Sequence, residues 1–246
     1  MLRYFKVDLH IHTCLSPCAD LKMSPRKITE EAMKKSLDVI AICDHNSAEN
    51  IASVQTAAKA QGVVVLAGME VCTKEEAHVL AIFENVEPAL ELQDLVYRNL
   101  HGENDPEAFG LQVIVNENDE VEGFQDRLLI GAADLSIEEV VNCIHQLDGL
   151  AIASHIDRES YSVIGQLGFI QENLEFDALE LSRNISYAEA KKRFAEYKRY
   201  PFIKNSDAHF LNDIGESATE YLLEEPSFGE IKKALRNVDG RKVGAA

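Results

Sequence analysis

The sequence predicts an α/β barrel, and three observations carry that expectation. Strand-like and helix-like apolar patterns alternate along the chain, as in a mostly parallel sheet covered by helices. The length of 246 residues suits a single α/β barrel, for which about 250 is typical. Acidic and imidazole side chains recur where the strand-like runs end: Asp8, His10 and His12; Asp44 and His45; Glu70; His155; Asp207 and His209. Barrel enzymes gather their chemistry at the C-terminal ends of their strands.

In chain order, a strand pattern at about 4–10 leads into a polar loop, and Ser24-Pro25 reads as N-cap and first turn of a helix through about Lys35. Asp38–Cys43 is strand-like, Ala48–Gln61 helical, Gly62 a stop, and Val63–Met69 and Ala77–Phe83 are further strands. Pro88–Leu100 reads as helix. Gly110–Val115 and Glu120–Leu129 flank a turn at Asn116–Asp119, which suggests a hairpin. Ser136 and Glu139 form a capping box that opens a helix to about Leu147. Strands at 150–153, 177–182, 202–206 and 219–223 then alternate with helices at 161–171, 186–198 and 226–237, before a tail at 241–246 that reads as frayed. No Pro/Gly/Ser-rich linker divides the chain, so 1–246 reads as one domain. Within it the rhythm breaks at about 85–149, an expected helix–hairpin–helix insertion on the barrel.

Bulk properties narrow the function. The net charge of −18 argues against a protein that tracks nucleic-acid backbones non-specifically, since such proteins need basic surfaces. No apolar stretch approaches the roughly 18 residues of a membrane span, and the N-terminus enters a strand pattern without a signal-peptide core. The five scattered cysteines fit free thiols in a reducing compartment, so a cytoplasmic location is expected. Cys14 and Cys18 lack the second pair of a thiolate site and read as packing residues.

The acids and histidines carry the chemistry. Burying them without partners would cost roughly 2–7 kcal/mol each, and metal ions satisfy imidazole and carboxylate together. Residues two apart on a strand share a face, so His10 and His12 are expected side by side with Asp8 one step deeper, and Asp207 and His209 repeat the device. His101 and His145 lie in polar helical contexts and read as structural. Arg158 and Arg183 follow strands, where a guanidinium fork suits phosphate oxygens. Asp44 is adjacent to His45 but points away from it on a strand.

The ordered set Asp8-Leu9-His10-Ile11-His12, Cys43-Asp44-His45-Asn46, Gly68-Met69-Glu70, His78, Ser154-His155 and Ser206-Asp207-Ala208-His209 resembles the motifs of the PHP (polymerase and histidinol phosphatase) family. The resemblance implies a distorted (β/α)7 barrel holding two or three divalent ions, zinc, manganese or iron, that hydrolyse phosphoesters. It implies His10, His12, Glu70 and Asp207 as ligands of one ion. Glu70 would bridge to a second ion held also by His78 and His155, and Asp20, His45 and His209 would hold a third. The loop carrying Asp20 departs from the family's shorter acidic loop. Asp44 and Asp8 would orient ligand imidazoles, and Asp44 is also a candidate acid for the leaving group. The expected reaction is hydrolysis of a small phosphomonoester or a nucleotide-type substrate, including short oligonucleotides, by a hydroxide bridging two ions. The alternatives are a metal-dependent amide or C–N hydrolase and a non-catalytic, metal-stabilised binding module.

Overall fold

In the computed structural model, which describes residues 1–59 and 61–244, the alternating pattern folds into a nearly closed barrel. The strands in chain order are β1 (Arg3–Ile11), β2 (Val39–Ile42), β3 (Val64–Cys72), β4 (His78–Phe83), the small hairpin β5 (Val113–Val115) and β6 (Val121–Phe124), then β7 (Leu150–Ala153), β8 (Ala178–Leu181), β9 (Phe202–Lys204), β10 (Thr219–Leu223) and β11 (Lys242–Val243). Seven of them line the barrel in the order β1-β2-β3-β4-β7-β8-β9. The seam between β9 and β1 closes above the last strand, where Ile11 bridges Ala208. There His12 N donates to Ala208 O at 3.0 Å and Ala208 N donates to His10 O at 3.2 Å. Below that bridge, β10 pairs antiparallel with the first half of β1 and carries β11 on its other edge.

The distortion of the barrel is one strand. β4 runs antiparallel to both β3 and β7, while the other barrel pairs are parallel. Its cause is local: Thr73–Ala77 is too short for a helical crossover. It makes a tight turn, with Thr73 N donating to Ala77 O at 3.0 Å and Glu76 at φ 56°. The turn brings the end of β3 and the start of β4 to the same mouth of the barrel.

Helices α1 (Pro25–Lys34), α2 (Ile51–Ala58), α3 (Val86–Asn99), α4 (Ile137–Gln146), α5 (Val163–Leu167), α6 (Tyr187–Arg193) and α7 (Phe228–Leu235) follow the strands. The expected capping box forms at α4, where Ser136 Oγ accepts from Glu139 N. The expected helix–hairpin–helix insertion does not take that form. α3 packs on β3 and β4, and α4 on β4 and β7, so both are barrel helices, and the excursion is confined to 100–135. The 161–171 expectation shortens to α5, ended by Gly168 in the left-handed region that glycine tolerates. The tail is not frayed up to Val243, because Arg241 is anchored to Glu224 and Glu230. Ala60, Ala245 and Ala246, from the expected helix and tail, lie outside the described residues.

Alternation sorts the sheet into two faces. Val39, Ala41, Leu66, Leu80, Ile82, Leu150, Ile152, Ala178 and Ile203 fill the barrel, joined from below by Phe228, Ile231 and Leu235 of α7. Ile40, Ile42, Ala67, Met69, Val79, Ala81 and Leu179 face the outer helices. β1 breaks the alternation. Phe5, Val7 and Leu9 belong to the inner cluster and Ile11 to the outer one, and the β1–β2 register shifts between Asp8 and Ile11. This bulge turns His10 and His12 inward above Leu9, and Asp8 outward, opposite the expectation that Asp8 shares their face.

Candidate metal centre

The mouth of the barrel collects nearly all of the acids and histidines singled out in the sequence. β1 and its extension supply His10 and His12, the turn after β2 supplies His45, and β3 supplies Glu70. The start of β4 supplies His78, and the loops after β7 and β9 supply His155, Asp207 and His209. The strand-end expectation needs one amendment: His78 stands at the N-terminal end of its strand and reaches the mouth because β4 is reversed.

Glu70 is the hub. Its Oε1 lies 3.3 Å from His10 Nε2, 3.0 Å from His78 Nδ1 and 3.4 Å from His155 Nε2. Oε2 lies 3.5 Å from His12 Nε2 and 3.2 Å from His45 Nδ1. Asp207 Oδ1 lies 3.3 Å from both His10 Nε2 and His12 Nε2. His209 stacks on His12 at 4.1 Å between ring centroids. Three groups of donor atoms converge within 4.8 Å: His10, His12, Glu70 and Asp207; His45, Glu70 and His78; and His12, His45 and His209.

Burial and charge shape the electrostatics. Burial pushes the Glu70 carboxyl upward, but His78 and His10 outweigh it and hold the group well below the usual range. The same holds for Asp207, where burial is outweighed chiefly by His10. Burial opposes charge on His78 as well, yet Glu70 lifts it to about 10. His12 is pushed down to about 4 by burial and by His209. The contacts are poorly aligned for hydrogen bonding: Glu70 Oε1 and His78 Nδ1, though 3.0 Å apart, form none, and His155 Nδ1 is buried without a partner. Imidazole atoms suit zinc and iron and carboxylate atoms suit manganese as well, so the residues present fit the implied ions.

The groups behind this layer aim it. Glu180, on β8, receives His10 Nδ1 at 3.0 Å, His155 N at 2.9 Å and Asn205 Nδ2 at 2.8 Å. Asn205 in turn accepts from Leu9 N at 2.8 Å, across the seam. Asp44 accepts from Thr13 N, Thr13 Oγ1 and Ser16 Oγ, each at 2.7 Å, and Ser16 Oγ meets His12 Nδ1 at 3.0 Å. The Asp44 carboxylate is buried and occupied by these partners and does not line the cavity, so it aims His12 through Ser16 and is not placed to protonate a leaving group. Asp8 accepts from Ser206 N at 2.9 Å and Gly215 N at 3.0 Å, and so fixes the loop carrying Asp207 where an imidazole contact was expected. Asp20 departs further. Its Oδ1 accepts from Lys22 N at 2.7 Å, and only its backbone N–H touches the site, donating to His209 O at 2.9 Å.

Strain gathers here too. Asn46, His155, Tyr161 and Asp207 have φ of 52°, 29°, 58° and 50°, where side chains are disfavoured. Asn46 is held in place by Nδ2 donating to Leu129 O and Gly131 O at 2.8 and 2.7 Å and by Cys72 N donating to its Oδ1 at 3.0 Å.

The centre opens into a cavity of about 500 Å³ walled by Ile130, Arg158, Glu159, Ser160 and Tyr161. Arg158 pairs with Asp207 Oδ2 at 2.7 Å, and Tyr161 stacks on His78 at 4.8 Å. Arg183 is not in this wall. It pairs with Asp213 at 2.9 Å on the surface. Sequence reasoning missed Glu180, although a charged residue inside the apolar run Ala178–Leu181 is itself a signal of a buried functional acid. It also missed Tyr161, Thr13 and Ser16, which carry no such signal.

Comparison with known proteins finds the same fold in solved structures. The lesion-specific endonuclease PfuEndoQ of Pyrococcus furiosus superposes with a TM-score of 0.79 at 22% identity, covering 98% of this chain and 58% of that one. Endonuclease Q has also been solved with a 27-mer duplex bearing an abasic lesion at its active site. A candidate metal-dependent phosphoesterase from Bifidobacterium adolescentis superposes with a TM-score of 0.62 at 18% identity, covering 94% and 95% of the two chains. The 5′-3′ exoribonuclease of Haemophilus influenzae is 30% identical over 89 residues, which is 35% of this chain and 31% of that protein. The chain thus spans about a third of that exoribonuclease and little more than half of PfuEndoQ. The PHP domain model matches residues 8–200 and the PHP-associated model matches 189–239. With the donor set above inside the matched span or just beyond it, the chain belongs to the PHP domain family.

Proposed function

We propose that this protein is a metal-dependent hydrolase of phosphoester bonds, acting on a small phosphomonoester or nucleotide-type substrate. The observation that carries the reading is Glu70, a buried carboxylate whose Oε1 faces His10 and His78 and whose Oε2 faces His12 and His45, imidazoles of two donor groups. His10, His12, Glu70 and Asp207 would hold one divalent ion, Glu70 with His45, His78 and His155 a second, and His12, His45 and His209 would offer a third position. Such ions supply Lewis acidity and bring the pKa of water from about 15.7 toward about 7.

The chain's own residues do the rest. Glu180, Ser16 and Asp44 fix the His10 and His12 rings. Arg158, 38% exposed on its side chain, keeps donors free beyond its Asp207 pair and can turn its fork to phosphoryl oxygens. Ile130 and Tyr161 line the cavity beside the proposed ions. The duplex bound by Endonuclease Q and the substrate class named for the Haemophilus exoribonuclease support a nucleic-acid or nucleotide substrate for this chain.

The test is hydrolysis by protein loaded with manganese, zinc or iron, read as phosphate release from phosphomonoesters and as product formation by chromatography from phosphodiesters, short oligonucleotides and amides. Hydrolysis of at least one phosphoester class is expected. Protein that holds metal yet releases nothing from any of them overturns the reading in favour of a binding module, and hydrolysis confined to amides overturns it in favour of a C–N hydrolase.

A further inference from the structure

Charge is segregated along the chain. Residues 101–126 carry eight carboxylates and neither Lys nor Arg, whereas residues 183–199 carry six Lys and Arg side chains against two carboxylates. The whole protein has a net charge of −18, so the second segment stands out against its surroundings. Among the described residues, the ion pairs made by Lys and Arg include none of the eight carboxylates, and Lys191 and Lys198 make none.

Each segment also presents apolar surface. The acidic one holds the β5–β6 hairpin, which is anchored through β5. Val113 N donates to Cys14 O at 3.0 Å, and Asn50 Nδ2 donates to Val113 O at 3.0 Å. Val113 and Val115 pack on Cys14. Their partners across the hairpin are Phe124 and Val121, and paired residues share a face of a sheet. The apolar face that β5 buries therefore runs on into β6, where Val121 and Phe124 are exposed. Leu111, also exposed, lines one depression with Phe124. The outer edge of β6 pairs with no further strand among the described residues.

The basic segment borders a groove of about 500 Å³ between α6, the start of β9 and β11. Tyr187, Phe194, Tyr200 and Phe202 wall it, flanked by the exposed Lys191 and Lys198. β9 and β11 are the two edges of the large sheet, so the groove lies where that sheet stays open. No residue of the hairpin of the same copy lines it.

We propose that the hairpin of one copy docks in this groove on a second copy. Leu111, Val121 and Phe124 cover the aromatic wall, while hairpin carboxylates such as Glu120 and Glu122 meet Lys191 and Lys198. The occupant is a second copy because one chain bears both complements, acidic and apolar on one surface, basic and apolar on the other. The two surfaces differ, so the contact is heterologous: it closes into a ring where its rotation allows and otherwise extends. Neither surface contributes a residue of the metal centre, so the inference stands apart from the phosphoesterase reading.

The experiment is sedimentation velocity of the full chain at concentrations up to about 200 μM, in low and high salt. Wild type is expected to associate as concentration rises, and about tenfold more weakly in high salt, which screens the exposed charges. A hairpin variant, Phe124→Glu, and a groove variant, Lys191→Glu with Lys198→Glu, should each weaken association about tenfold or more, with native circular dichroism. If Phe124→Glu fails to fold, Leu111→Glu serves in its place. Mixed one to one, the two variants should form a heterodimer and nothing larger, because each keeps the surface that the other lacks. Wild type that stays monomeric throughout overturns the proposal, as does either variant associating like wild type. Mixing that restores nothing also overturns it and assigns any wild-type association to another surface.

Discussion

The two ends of the barrel are built on opposite terms. At the base, α7 inserts Phe228, Ile231 and Leu235 into the inner apolar cluster, and the rim is tied by matched ion pairs: Arg241 with Glu224 and Glu230, and Lys232 with Asp148. At the mouth, buried carboxylate and imidazole atoms crowd around Glu70, and Glu70 Oε1, His78 Nδ1 and His155 Nδ1 make no hydrogen bond. One end is optimised for persistence, and the other holds polar groups in an arrangement that the fold alone would not favour. The contrast teaches that the mouth is organised around something it binds, since stability alone selects satisfied contacts of the kind seen at the base.

Substitutions at the two ends should therefore separate function from stability. The largest effect is expected for Glu70→Gln, which should lower turnover about 10³-fold or more, roughly 4 kcal/mol of barrier, and reduce bound metal by elemental analysis while circular dichroism stays native. Near-normal turnover with full metal content would remove Glu70 from its bridging role. At the base, Ile231→Ala should cost about 2–5 kcal/mol in chemical denaturation and leave kcat/KM of the loaded protein within twofold. A comparable loss of activity would show that the two ends are coupled.

Two smaller effects refine the comparison. Glu180→Gln should weaken metal binding about 10–100-fold, with kcat recovering at saturating metal because Glu180 aims His10 without facing substrate. Loss of kcat that excess metal does not rescue would place it in the reaction itself. Arg241→Ala should destabilise the base at neutral pH, seen as a lower denaturation midpoint. Hydrogen bonding to Arg241 holds the Glu230 carboxyl at about 2, below its ordinary 4.5. The contribution is therefore complete above about pH 4.5 and fades as pH falls toward 2. Denaturation curves of the variant and wild type should converge in that acid window, and a constant gap would show that packing, not charge, anchors the tail.

Much of this was legible in the sequence, and the misses have physical causes. Alternating apolar runs gave the barrel, acids and histidines at strand ends gave His10, His12, His45, Glu70, His155, Asp207 and His209 as neighbours in space, and the family resemblance added His78. The reversal of β4 was hidden, because Ala77–Phe83 has the same inward-outward rhythm in either direction and only the short turn at Thr73–Ala77 sets its sense. The face of Asp8 was misread because a bulge between Asp8 and Ile11 adds a residue that no composition records. Asp20 illustrates a third limit: a ligand carried over by resemblance depends on its loop, and here the carboxylate turns to the backbone of Lys22.

The seam between β1 and β9 has a consequence in time. It joins residues about 200 apart in the chain, and contacts so distant form slowly because a long loop must first be closed. His10 and His12 stand on one lip and Asp207 and His209 on the other, so an ion held among them would act as a clasp on the last step of closure. Glu70 and His78, joined by a tight hairpin, can meet early. The proposed centre is thus assembled in two stages, and metal should slow the reopening of the barrel far more than it speeds the first pairing of its strands.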